Sequence, residues 1–169
     1  MATVALPRAT ARTLTVLVDD HPGVLNRVAS LLRRRRFNIE SLTVGVSEQP
    51  GLSRMTIALH ADDDAVEQAV KQLYKLVEVR KVTDLSAERF VARELALVKV
   101  AANQENRAQI REVADLFGAR IVDVAPRSLV IEAVGSQERI DGLLETLRPY
   151  GIRELVRSGR VAITRGGEG

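Results

Sequence analysis

The sequence predicts an α+β fold: two tandem β-α-β-β-α-β units, each an antiparallel sheet with both helices on one face. Three observations predict it. Apolar residues alternate in short runs, the period of half-buried strands. Between those runs they recur at i, i+3, i+4 and i+7, the stripe of an amphipathic helix. The same order of runs and stripes then occurs twice within 169 residues.

In the first half, Leu14, Val16 and Val18 alternate with Thr13, Thr15 and Leu17 as a strand. His21-Pro22-Gly23 turns the chain, and Leu25, Val28, Ala29 and Leu32 form the first helix stripe. Ile39 to Val46 reads as a second strand, broken by Gln49-Pro50-Gly51. Met55, Ile57 and Leu59 alternate as a third. Asp62, Asp63 and Asp64 stand where acids favour a helix start. Val66, Ala69, Val70 and Leu73 are the second stripe, and Val77, Val79 and Val82 the fourth strand.

The second half follows the same order. Leu95 to Val100 is a strand, and Ile110, Val113, Ala114 and Phe117 are a stripe that Gly118 is placed to cap. Ile121 to Val124 and Leu129 to Val134 are strands joined at Pro126-Arg127-Ser128. Ile140, Leu143, Leu144 and Leu147 make the last stripe, stopped by Pro149. Ile152 to Val156 and Val161 to Ile163 close the chain as strands. This is the ferredoxin-like arrangement, twice. The expected organisation is a leader over residues 1–11 and domains over 12–88 and 89–169, with charged residues from Leu85 to Arg93 between them. One sheet face of each domain is expected to stay open, with Leu17, Ala58, Ala96, Val98 and Val100 among its apolar residues. Partners or edge pairing would cover it, which favours an oligomer; the alternative is that one half packs on the other.

Composition narrows the chemistry. Cysteine is absent, so disulfides, thiolate nucleophiles and thiolate metal sites are excluded. The two histidines, His21 and His60, are too few for a histidine-rich metal centre. The pI of about 9.7 invites a nucleic-acid reading, but bases exceed acids by only three. Residues 1–88 hold 12 bases against 11 acids, and residues 89–169 hold 13 against 11. The high pI reflects arginine, which supplies 21 of the 25 bases. The strands carry almost no aromatic residue on which a base could stack, which argues against RNA. No nucleophile–base pair or phosphate loop argues for an enzyme; no catalytic or metal-binding residue is assigned. No apolar run is long enough to span a membrane. No signal-peptide pattern opens the chain, so the cytoplasm is expected.

One segment can bind a small ligand. Asp20-His21-Pro22-Gly23-Val24-Leu25 joins the first strand to the first helix. A helix start offers unpaired N–H groups and a positive dipole end to a carboxylate. Gly23 lets a ligand approach the backbone, and Asp20 can accept from an ammonium. Asn38 offers a donor and an acceptor, and Val24, Leu25 and Ile39 offer aliphatic surface. Such a set suits a small aliphatic α-amino acid. It also suits an ordinary turn and helix cap, and the residues alone leave both readings open. Elsewhere, Arg33 to Arg36 reads as a solvated helix end, His60 as a surface strand end, and Glu40 and Arg54 as a cross-strand pair.

With that loop, FNIESLTVG (Phe37 to Gly45), SRMTI (Ser53 to Ile57), KQLYKLVEV (Lys71 to Val79), RELALVKV (Arg93 to Val100) and SGRVAITRG (Ser158 to Gly166) closely resemble the small regulatory subunit of acetohydroxyacid synthase, also called acetolactate synthase. The resemblance spans about Arg12 to Gly166. It implies that the first domain is an ACT domain, an amino-acid sensor. It implies a dimer or higher oligomer that binds valine or a related branched-chain amino acid between protomers and stimulates a separate catalytic subunit. That subunit, a transferase, would hold thiamine diphosphate, Mg²⁺ and FAD; no cofactor is expected on this chain. The implied ligand site is Asp20, His21, Pro22, Gly23, Val24 and Leu25, with Asn38 and Ile39 from the neighbouring chain. Asp20 stands where some members have Asn. The second half has Ala101-Ala102-Asn103-Gln104-Glu105-Asn106 in place of the Pro-Gly loop, and is expected not to bind an amino acid in that way. A free-standing ACT sensor serving another enzyme is the alternative.

Overall fold

The structure, a computed structural model, describes residues 10–166. Of the expected leader, residues 1–9 lie outside the described residues; Thr10 and Ala11 already belong to the first strand. The chain forms two compact units. One contains the described residues up to Val91 together with those from Val161 onward; the other is Ala92–Arg160.

The first unit runs β1 (Thr10–Asp19), α1 (Val24–Arg34), β2 (Asn38–Val46), β3 (Leu52–Ala61), α2 (Asp63–Leu73) and β4 (Val79–Asp84). Its sheet has the order β2-β3-β1-β4, all neighbours antiparallel. Leu14, Val16 and Val18 from β1 and Met55, Ile57 and Leu59 from β3 meet Val28, Leu32, Val66 and Leu73 from the helices in one core. The alternation in the strands and the stripes in the helices demand this burial. Asp62 caps α2, its side chain accepting the Ala65 N–H at 2.8 Å. α1 ends with Arg36 at φ 61°, and the Phe37 N–H reaches back to the Leu32 carbonyl at 3.1 Å.

Two features of this unit differ from the sequence reading. Its second sheet face is not simply open: β1 is contacted there by a short 3-10 turn at Leu85–Ala87 and by β9 (Val161–Thr164). Beneath them a row of threonines crosses all four strands, Thr43 opposite Thr56, Thr56 opposite Thr15 and Thr15 opposite Thr83. Ala58 is fully buried on this face. Glu40 and Arg54 do not pair. A bulge between Ile39 and Ser41 takes Glu40 out of the ladder toward His60, and Arg54 holds Glu48 instead.

The second unit contains most of β5 (Phe90–Ala101), then α3 (Arg107–Leu116), β6 (Arg120–Ala125), β7 (Ser128–Gly135), α4 (Gln137–Leu147) and β8 (Ile152–Arg157). Its sheet has five strands, ordered β6-β7-β5-β8, with β9 pairing β5 off that path. Gly118 takes φ 58° after α3, as its position predicts. Ala96, Val98 and Val100 lie in the core with Ile110, Ile131, Ile140 and Leu143. They therefore face the helices, and the opposite sheet face presents Leu95, Leu97 and Lys99. The sequence reading had these two faces of β5 reversed, because the strand is apolar on both. The closing strand read at Val161 to Ile163 is β9, grouped with the first unit; the Arg165 N–H donates to the Arg89 carbonyl at 2.8 Å.

Candidate functional site

β1 and β4 build the stem of the Asp20–Leu25 loop. β1 delivers the chain to the sheet end at Asp19, and α1 starts at Val24. Gly23 is the residue before the helix and takes φ 93°, a conformation that disfavours any side chain. A Cβ built on it would touch nothing within 4 Å, so its surface is open. Unlike α2 and α4, which Asp62 and Ser136 cap, α1 receives no side-chain cap and has no acid in its first turn. At α3 the Asn103 side chain accepts the Glu105 and Asn106 N–H groups instead. The start of α1 thus keeps a positive end that no side chain among the described residues caps.

The side chains around it divide by role. Asp19 is spoken for: Arg80 donates to both its carboxylate oxygens, at 2.6 and 2.7 Å. That hydrogen-bonded pair holds the Asp19 carboxyl below the usual carboxylate range. Asp20 has no side-chain partner among the described residues, and its backbone N–H donates to the Gly51 carbonyl at 2.9 Å. His21 and Pro22 are exposed, with His21 Nδ1 3.2 Å from the Pro22 carbonyl oxygen. Leu25 is 45% exposed, an aliphatic side chain beside the open helix start. Val24 is only 3% exposed and belongs to the core, so its backbone alone faces the loop. The sequence reading offered its side chain as a ligand wall, which the burial corrects.

Asn38 and Ile39 lie elsewhere. Ile39 is opposite Leu59, which is opposite Arg12, seven residues before Asp19 on β1. At about 3.4 Å per residue that is roughly 24 Å from the loop stem. Within one chain the eight predicted residues therefore form a cluster of six at one sheet end and a pair at the other.

Gly51, Glu78, Arg27 and Arg80, none of them assigned to the loop from sequence, support it. Gly51, at the β2–β3 turn, accepts the Asp20 N–H. Glu78, 4% exposed, accepts from the Arg27 guanidinium through its carboxylate and from the Asp19 N–H through its carbonyl at 2.9 Å. Arg80 sits in a bulge: Leu17 opposes Lys81 and Val18 opposes Val79, leaving Arg80 extra. Nothing in the apolar periodicity marks Glu78, which stands between two valines in a predicted strand. Of those valines Val77 is exposed and Val79 buried.

Comparison with known proteins places this geometry in a family context. A family model described as the small subunit of acetolactate synthase matches residues 93–166, and one described as the AHAS small subunit-like ACT domain matches residues 14–81. The chain is 52% identical over 157 residues to the acetolactate synthase small subunit of Mycolicibacterium smegmatis, covering 93% of this chain and 92% of the relative. It is 51% identical over 154 residues to the probable acetolactate synthase small subunit of Archaeoglobus fulgidus, covering 91% and 96%. The crystal structure of the acetolactate synthase small subunit from Thermotoga maritima superposes with a TM-score of 0.86 at 40% identity, covering 94% of this chain and 99% of that one.

Proposed function

Because the chain belongs to the acetolactate synthase small-subunit family, we propose that it activates a separate catalytic subunit and makes that subunit sensitive to valine or a related branched-chain amino acid. The observation that carries the sensing role is the juxtaposition at the loop. An uncapped helix start suits the ligand carboxylate, and the unpartnered Asp20 carboxylate beside it suits the ammonium. Leu25 supplies aliphatic contact for the side chain. In this reading the chain regulates, as its small-subunit family membership supports, and the catalytic subunit performs the condensation. Thiamine diphosphate, Mg²⁺ and FAD are assigned to that subunit.

The distance to Asn38 supports a dimeric site. β2 is an edge strand, with Val44 and Val46 exposed along it. An antiparallel, two-fold pairing of two such edges is self-complementary. It sets Asn38 of a second copy opposite the Val46 end of β2. Val46 is level with Ser53 and Val18, next to the loop stem. Asn38 and Ile39 of one copy then complete the loop site of the other. A ligand bridging two copies favours one dimer arrangement, and that preference is the coupling free energy of inhibition.

Reconstitution with the catalytic subunit tests this reading. Acetolactate formation is expected to rise on adding the chain and to fall again with valine, leucine or isoleucine. Calorimetry on the chain alone is expected to show binding of at least one of the three. No activation, or activation with no amino-acid binding in either preparation, rejects the corresponding half of the reading.

A further inference from the structure

We infer that Glu78 is a positioning residue that clamps both stems of the amino-acid loop to β4, and that it thereby sets how well the loop is preformed for its ligand; the ligand part rests on the function proposed above. Glu78 reaches the incoming stem through its backbone, accepting the Asp19 N–H at 2.9 Å. It reaches the outgoing stem through its side chain, accepting from Arg27 in the first turns of α1. Two residues on, the bulged Arg80 grips the Asp19 carboxylate through two donors. Residues 78–80 thus hold the chain on each side of the four-residue stretch Asp20–Gly23.

The second unit shows that the fold does not require this clamp. Its β8 carries the same bulge against β5: Lys99 opposes Glu154 and Val100 opposes Ile152, leaving Arg153 extra. The same backbone bond is present, the Ala101 N–H donating to the Gly151 carbonyl at 2.8 Å. By that register Ala101 stands for Asp19 and Gly151 for Glu78. Aligning the core positions Val28, Leu31 and Leu32 with Ile110, Val113 and Ala114 puts Gln109 in place of Arg27. Every side chain of the clamp except the arginine of the bulge is missing, in the unit that also lacks the Pro-Gly loop. One carboxylate buried to 4% exposure is costly to keep unless paired. The second unit has neither this carboxylate nor its arginine at the equivalent positions, Gly151 and Gln109.

The clamp also gives the loop a mechanical link. β4 leads directly into the Leu85–Ala87 turn and then β5. Arg27 ties α1 to Glu78 and so to the start of β4. The loop is therefore connected to the segment that joins the two units.

Hydrogen exchange on the full-length chain tests the clamp without requiring a ligand. The variants are Glu78→Gln, which keeps the backbone bond and the side-chain volume, and Arg27→Gln/Glu78→Gln, which leaves no buried charge without a partner. Amides of residues 20–27 are expected to exchange at least tenfold faster than in the parent, while those of β7 in the second unit stay unchanged. Calorimetry with valine on the same samples is expected to show affinity weakened at least tenfold. Unchanged exchange at 20–27 in the folded double variant overturns the clamp. Faster exchange with unchanged valine affinity overturns its role in preforming the site. A parent that binds no branched-chain amino acid rejects the proposed function, while the exchange data still decide the clamp.

Discussion

Gly23 meets two demands that a substitution can separate. Its φ of 93° calls for the absence of a Cβ, and the space beside it, open to 4 Å, is where the proposed ligand carboxylate binds. Gly23→Ala imposes only the first cost, about 1 kcal/mol of backbone strain with no clash, so it is expected to weaken valine inhibition modestly. Gly23→Asp adds a carboxylate where the proposed site takes the ligand's own. It is expected to retain activation and lose inhibition, and valine titration of the reconstituted enzyme measures both variants. Asp19 carries a pH prediction. Arg80 lowers its folded pKa, so the pair stabilises the folded chain above the unfolded value and that contribution disappears as pH falls through the folded value. The difference in melting temperature between parent and Asp19→Asn is therefore expected to be constant from pH 5 to 8 and to shrink below about pH 4. The residues of the loop were legible because Pro, Gly and Asp advertise backbone geometry. Glu78 was not, because an acid beside valines signals an outward position unless its cation is known, and Arg27 lies 51 residues away in sequence.

Helices and strands were legible in kind and order, since each rests on local periodicity. Their ends depend on caps, and two caps make predictions. Asp62→Ala removes the acceptor of the Ala65 N–H and is expected to cost about 1 kcal/mol in denaturant unfolding. Arg36 occupies the left-handed position after α1, φ 61°, where glycine is preferred. Arg36→Gly is expected to gain about 0.5–1 kcal/mol, the relief of strain exceeding the added chain entropy. The facing of β5 was not legible. Leu95, Leu97 and Ala96, Val98, Val100 form two interleaved apolar sets, and only the helices decide which is inside. In β4 the bulge at Arg80 breaks the alternation, so Val79 and Val82, three apart, both enter the core.

At the scale of the molecule, the duplication was visible in sequence, but the grouping of β9 with the first compact unit was not. Local periodicity identifies β9 as a strand without saying which sheet face it lies on. In the structure it returns to the first unit, where Ala162 is buried. Cutting the chain after Arg160 is expected to raise hydrogen exchange in β1, whose second face β9 contacts, more than in β7. Equal effects on both strands would contradict the grouping.

That return has a consequence for how the chain is made. The first unit is interrupted in the message by the whole of Ala92–Arg160. A ribosome adding about 5–20 residues per second takes roughly 3–14 s to pass through that insert. During that interval β1, with its threonine row, has emerged without its contact to β9. Nascent first units are then exposed to one another, and to any other waiting partner, before their own last strand arrives. Vectorial synthesis gives this protein a window in which its assembly can begin on an unfinished fold.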